Sequence, residues 1–240
     1  MIIGIQTIKG LKIEELLTRA INYDFQAFEI FFDGFYPEDL SADFKNKLKE
    51  KIFQNNIYLT VHAPLFEQLD NSVKNHLYNS LSFAQEMNAH ILTIHPILPL
   101  REFTLFLNNF LLKSDDIVPY LNIGIENIPT LDVHSLNKLF LDLNINSNVG
   151  VTYDIGHAQL NENAYNYLNM LQAPILECHA HNNDGKNDFH LDLRDKRGII
   201  PIKKIIRSLY LKKQFRGPII LEYWREGMVQ TKEWLLHLDK

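Results

Sequence analysis

Nine residues of the kinds that ligate metals or move protons recur at or just beyond the ends of apolar runs along this 240-residue chain. They are His62 in Val61-His62-Ala63-Pro64, His95 in Thr93-Ile94-His95-Pro96, Glu126 in Ile125-Glu126-Asn127, and Asp154 and His157 in Asp154-Ile155-Gly156-His157. His179 follows in Cys178-His179-Ala180-His181, then Asp188 and His190 in Asp188-Phe189-His190, and Glu222 in Leu221-Glu222-Tyr223. Buried carboxylates and imidazoles are costly unless they are paired or hold a cation. Several of them at one place would repel each other without one. Mixed His and carboxylate donors suit Zn2+, Mn2+ or Fe2+, whereas Mg2+ and Ca2+ prefer oxygen alone. The set therefore points to a divalent metal centre. Singly, each member has a plainer reading, such as Asp154 capping a helix or His95 bonding a neighbouring strand.

Positioning such a set requires many converging elements. Short runs rich in Ile, Val and Phe recur at Ile2–Thr7, Ala27–Phe32, Ile57–Ala63, Ile91–His95, Ile123–Asn127, Gly150–Asp154, Ile175–His179 and Pro218–Tyr223. Segments of helical period lie between them: Ile13–Ile21, Asp43–Phe53, Val73–Met87, Phe103–Leu121, Val133–Leu143, Asn163–Leu171, Ile202–Tyr210 and Thr231–Leu238. Continuous apolar runs mark strands buried on both faces, as in a parallel sheet. Eight strands and eight helices in strict alternation predict an α/β fold, a single-domain (β/α)8 TIM barrel over residues 1–240. A doubly wound sheet would have a glycine-rich first turn, and Gln6-Thr-Ile-Lys-Gly10 is not one. Barrel chemistry sits at the C-terminal ends of the strands. Six consecutive runs, the third to the eighth, end in or beside the residues singled out above.

The other histidines behave differently. His76, His90, His134 and His237 fall in or beside helices and are expected at the surface. His181 shares strand parity with His179 and is expected to support the ligands from behind. Cys178 alternates away from His179 and reads as a core thiol.

Composition narrows the class. Hydrophobic residues make up 46% and charged ones 22%, enough to bury a core and too much for a disordered chain. A single cysteine excludes a disulfide scaffold. No apolar run approaches a membrane span, and the first residues carry no secretory pattern, so a cytoplasmic protein without a membrane partner is expected. The net charge of −5 argues mildly against a nucleic-acid surface.

Glu126-Asn-Ile-Pro, Asp154-Ile-Gly-His157, the His179-x-His-x-Asn-Asp-Gly-x-x-Asp-x-His190 run and Ile220-Leu-Glu222 resemble the xylose isomerase-like TIM barrel superfamily. That group holds sugar (phosphate) isomerases and epimerases and the endonuclease IV type of abasic-site nuclease, AP endonuclease family 2. The resemblance runs strand by strand along the whole chain. It implies a shared four-ligand metal site at Glu126, Asp154, His179 and Glu222, with Glu126 and Glu222 as acid and base. It also implies that His62, His95, His157, Asp188 and His190 match the positions of further zinc ions in the nuclease. One to three ions, Zn2+ or Mn2+, are thus expected. The sequence departs from the nuclease at Leu65, where a DNA-working tyrosine stands, and in Asp192-Leu-Arg-Asp-Lys-Arg197, which replaces a glycine-rich turn.

Two chemistries follow. In the first, the chain is a metal-dependent isomerase or epimerase of a small sugar or sugar phosphate, working through a metal-stabilised enediolate with the two glutamates as acid and base. His157, Lys186, Arg194 and Trp224 are its candidate substrate contacts. Arg225 could also meet an anionic substrate, and Phe32 and Phe66 could pack on a sugar face. For these loop charges and aromatics, solvation and barrel-mouth packing are the plainer readings. In the second, zinc ions clamp a phosphodiester and DNA is cut at abasic sites. A non-catalytic binding barrel ranks last, because both glutamates are present.

Overall fold

The computed structural model describes residues 1–115, 121–143, 148–223 and 227–238. Eight parallel strands close on themselves in sequence order. They are β1 (Ile2–Gln6), β2 (Ala27–Phe31), β3 (Tyr58–His62), β4 (Ile91–Ile94), β5 (Asn122–Glu126), β6 (Val149–Asp154), β7 (Ile175–Ala180) and β8 (Pro218–Leu221). The last pairing, β1 with β8, seals the barrel from Ile2↔Pro218 to Ile5↔Leu221. The expected (β/α)8 architecture is what the chain forms.

Each strand is almost wholly buried, because helices cover its outer face. In α1 (Ile13–Asn22), Ile13, Leu16, Leu17 and Ala20 make the buried stripe. In α8 (Ile202–Leu211), Ile202, Ile205, Ile206 and Leu209 do the same. The other helices are α2 (Ala42–Gln54), α3 (Asn71–Glu86), α4 (Leu100–Asp115), α5 (Val133–Asp142), α6 (Ile155–Asn161), α7 (Ala164–Met170) and α9 (Met228–Leu236). Ser41, Asp70 and Asp132 cap α2, α3 and α5 by accepting from backbone N–H groups of the first turn. The part of the predicted Phe103–Leu121 helix beyond residue 115 falls mostly outside the described residues.

Strict alternation needs one correction. Between β6 and β7 the chain makes two helices, α6 and α7, where the sequence reading has one. The cause is Asp154, which ends β6 and at once caps α6 by accepting from the His157 N–H at 2.5 Å. His157 therefore lies in the first turn of a helix and not on the strand end.

The barrel interior is polar. Thr93 on β4 meets Thr152 on β6 at 2.8 Å, passing over β5 where Gly124 has no side chain. A Cβ on Gly124 would lie 2.1 Å from the Thr152 hydroxyl.

Candidate metal centre at the barrel mouth

Three histidines are oriented in the same way. His62 Nδ1 donates to the Ala63 carbonyl at 2.8 Å, His157 Nδ1 to the Asn127 carbonyl at 3.0 Å, and His190 Nδ1 to the Glu222 carbonyl at 2.8 Å. A carbonyl can only accept, so each Nδ1 carries a proton, and each ring in its neutral form would turn an Nε2 lone pair outward. Those nitrogens face carboxylate oxygens: His62 Nε2 lies 2.8 Å from Glu126 Oε2, and His157 and His190 Nε2 lie 3.3 and 3.2 Å from Asp188 Oδ2. Lone pair against anion is repulsive unless a proton or a cation stands between. Backbone carbonyls holding the far nitrogen of a histidine are the usual support of a metal ligand.

The remaining donors close in from neighbouring strands. His95 Nε2 also reaches Glu126 Oε2 at 2.8 Å. Asp154 is fully buried, and its Oδ1 already serves the helix cap while Oδ2 has no hydrogen-bond partner. The capping reading of Asp154 thus holds for one oxygen, and the other is left free. His181 Nε2 sits 3.2 Å from Asp154 Oδ1, 3.5 Å from Asp188 Oδ1 and 3.9 Å from Glu222 Oε2. Both His181 ring nitrogens and Glu222 Oε2 are buried without a hydrogen-bond partner. Such orphaned atoms are rare in folded proteins and cost free energy. A cation among Asp154, His181 and Glu222 would satisfy Glu222 Oε2 and one nitrogen of His181, and the mixed donor set suits Zn2+, Mn2+ or Fe2+. His157, His181, Asp188 and His190 form a second group with metal-ligand spacing; Glu126 joins a third with His62 and His179 and a fourth with Asp154 and His157, and Glu29, His179 and Glu222 make a fifth.

His179 and His181 both stand in groups with metal-ligand spacing, at different depths. His181, expected to stand behind the ligands, faces the open donor atoms. His179 lies deeper, its Nδ1 3.1 Å from Glu222 Oε1 and 3.5 Å from Glu126 Oε2, and its Nε2 3.3 Å from Glu29 Oε1. The ring of His181 stacks on that of His190 at 3.9 Å.

Electrostatics follow from this crowding. Burial alone would raise the Glu126 carboxyl, but His95, His179 and His157 overcome it and hold it well below the usual carboxylate range. Asp154 and Asp188 are lowered in the same way, by His157 and His181 among others. Burial would depress the imidazoles; carboxylates instead raise His62, His157 and His179, and Asp188 and Glu222 push His190 up to about 9. His95 is lowered, because burial wins over its one close carboxylate.

The sequence reading missed Gln6, Glu29 and Glu177. Glu29 in Ala27-Phe28-Glu29-Ile30-Phe31 and Glu177 in Ile175-Leu176-Glu177-Cys178 are lone carboxylates in apolar strands, the same signal as at the strand ends, one layer lower. Glu177 Oε2 accepts from Thr93 Oγ1 at 3.0 Å. Burial, then the charge of Glu29, push its carboxyl up to about 8 from a usual 4.5. In the unfolded chain it ionises near the lower value, so rising pH between the two favours unfolding, at most by roughly 1.4 kcal/mol per pH unit. Glu177→Gln, of the same shape and without the titration, is expected to be more stable than the parent at pH 8 in urea unfolding. That advantage should shrink toward pH 5; an advantage constant with pH contradicts the assignment.

Several candidate contacts are not brought to the centre. Arg194 binds Thr231 and the Gly227 carbonyl, at 2.9 and 3.0 Å, beside Asp192, so its guanidinium ties a loop to α9. Lys186 is exposed on the turn after β7. Phe32 is buried and packs on Phe35 and Phe83. Phe66 is half-buried and stacks at 5.8 Å on His76, which Tyr36 covers from 4.0 Å. Trp224 and Arg225 lie outside the described residues. His90, His134 and His237 are exposed and His76 is partly so, and Cys178 is buried with its thiol pushed well up by burial. Among the described residues no helix is long and apolar enough to cross a membrane.

A closed parallel barrel with a His and carboxylate mouth defines the class, and comparison with known proteins agrees. The chain belongs to the xylose isomerase-like TIM barrel family, whose model matches residues 17–238. An uncharacterised protein of Methanocaldococcus jannaschii is 25% identical over 205 residues, 74% of this chain and 68% of that one. Among solved structures, a D-tagatose 3-epimerase-like protein superposes with a TM-score of 0.82 at 24% identity, covering 99% of this chain and 97% of the other. A Thermus thermophilus protein soaked with zinc chloride superposes at 0.80 with 18% identity, over 99% and 98%.

Proposed function

We propose that the chain is a divalent-metal-dependent isomerase or epimerase acting on a small sugar or sugar phosphate. The observation that carries the reading is a group with metal-ligand spacing, Asp154, His181 and Glu222, each with a buried side-chain atom that has no hydrogen-bond partner. Glu126, Asp154, His181 and Glu222 would hold the principal ion, with His181 in the place that the family resemblance gives to His179. A bound divalent cation supplies Lewis acidity, which lowers the cost of removing a proton beside a carbonyl. Glu126 is held ionised by the histidines around it and is ready to accept that proton. Glu222, which faces the same His179 nitrogen as Glu126, would return it or act on the other face. A general base of this kind contributes on the order of 10²–10⁴-fold. Likeness to a D-tagatose 3-epimerase-like protein supports a sugar substrate, at an identity that speaks for the fold.

A second reading has its own observation. His62, His95, His157, Asp188 and His190 supply donors beyond one ion's needs, which favours several zinc ions and phosphodiester cleavage at abasic sites in DNA. Elemental analysis of protein purified without added metal or chelator separates the two. One ion per chain, manganese above all, together with turnover of a keto or aldo sugar from a panel, is the expected result. Close to three zinc ions with cleavage of an abasic oligonucleotide would overturn the isomerase in favour of the nuclease.

A further inference from the structure

Glu29 lies in the middle of β2, fully buried, and its carboxylate has two side-chain partners. Gln6 Nε2 donates to Glu29 Oε2 at 2.8 Å, and His179 Nε2 lies 3.3 Å from Glu29 Oε1. Each partner also reaches Glu222. The same Gln6 nitrogen donates to Glu222 Oε1 at 2.8 Å, and His179 Nδ1 lies 3.1 Å from that same oxygen. Two carboxylates from β2 and β8, on either side of β1, are therefore joined by two bridges, and both bridges end on one oxygen of Glu222. The other oxygen, Oε2, is buried with no hydrogen-bond partner and lies 3.9 Å from His181.

A carboxylate held at one point can turn and exchange its oxygens. Held on one oxygen by the Gln6 amide, with His179 Nδ1 3.1 Å from that same oxygen, it cannot do so without giving up both contacts. Both nitrogens of His179 face carboxylates and both hydrogens of the Gln6 amide are used, so each bridge needs an anion at its lower end. A neutral amide at position 29 would offer one acceptor and set an NH2 group against the second donor. We infer that Glu29 is a positioning residue: acting through Gln6 and His179, it fixes Glu222 with Oε1 turned into the barrel and Oε2 presented to the metal. The inference rests on the metal reading of Glu222 and adds to it the device that orients the ligand.

The test is a Co2+ titration of the full chain after chelator treatment, read by visible absorption and by competition with a chelating dye. Glu29→Gln and Gln6→Met are compared with the parent, with urea unfolding of the metal-free proteins confirming that each is folded. Both variants are expected to bind Co2+ with unchanged stoichiometry and roughly 10–100-fold more weakly, as for other supports of metal ligands. Combined, the two substitutions should cost clearly less than the sum of their separate effects, because both act on one oxygen. A parent that takes up no Co2+ overturns the metal reading and the inference with it. A parent that binds, with both variants binding equally tightly, overturns the positioning role alone. If Glu29→Gln fails to fold, Gln6→Met, similar in volume and without the amide, decides by the same criterion.

Discussion

Glu222→Gln is expected to abolish turnover while leaving the barrel folded. The exchange keeps the shape of the side chain and its place at the end of β8, where the main-chain carbonyl of residue 222 still accepts from His190. It removes the negative charge that faces His181 and His179, at 3.9 and 3.1 Å, and it replaces an acceptor oxygen with an NH2 group. Under the proposed function two losses combine: a ligand to the ion that would acidify the substrate, and one of the two groups that would accept and return its proton. The base alone accounts for roughly 10²–10⁴-fold, so the loss with the ligand included should exceed that. Steady-state kinetics at saturating metal, with circular dichroism to confirm folding, measures it. Near-parental activity refutes Glu222 as ligand and base.

The barrel was legible because its signal is redundant. Eight buried strands each write a continuous apolar run, and a misjudged boundary of one or two residues does not disturb the count. The mouth was legible for a related reason: a lone Glu126 or Asp154 in an apolar run has few reasons to be there other than to meet a partner. What the sequence hid were choices between neighbours. His179 and His181 share parity on β7, and both point inward. Only the three-dimensional depth of each places His179 among Glu29, Glu126 and Glu222, and His181 beside Asp154 and Asp188. Likewise Asp154-Ile-Gly-His157 reads equally well as a strand end or as a helix start. The structure makes it both, because one carboxylate oxygen caps α6 while the other stays open. Arg194 misled for the opposite reason: a charge on a loop carries no address, and its address is Thr231 and Gly227 on the far side of the loop.

Gly156→Ala is the substitution by which the fold itself tests the role of His181. Gly156 lies in the first turn of α6, with an ordinary helical backbone, so alanine should favour the helix by about 1 kcal/mol on propensity alone. Its Cβ, however, would fall 1.9 Å from His181 Cε1 and 2.3 Å from Nε2. His190 stacks on the ring at 3.9 Å with nearly parallel planes, so the ring can give way only if His190 shifts or the stack breaks. Either α6 moves, disturbing the Asp154 cap and His157, or the imidazole leaves its place among Asp154, Asp188 and Glu222. We expect a net loss of about 1–3 kcal/mol in urea unfolding, the usual cost of overpacking a core, and a loss of Co2+ affinity at least as large as for Glu29→Gln. The double variant Gly156→Ala/His181→Ala separates the two effects. With the ring removed, the added methyl has space, so stability should return toward the parent while metal binding does not. If Gly156→Ala binds Co2+ as tightly as the parent, His181 is not a ligand, and the principal site reverts to His179.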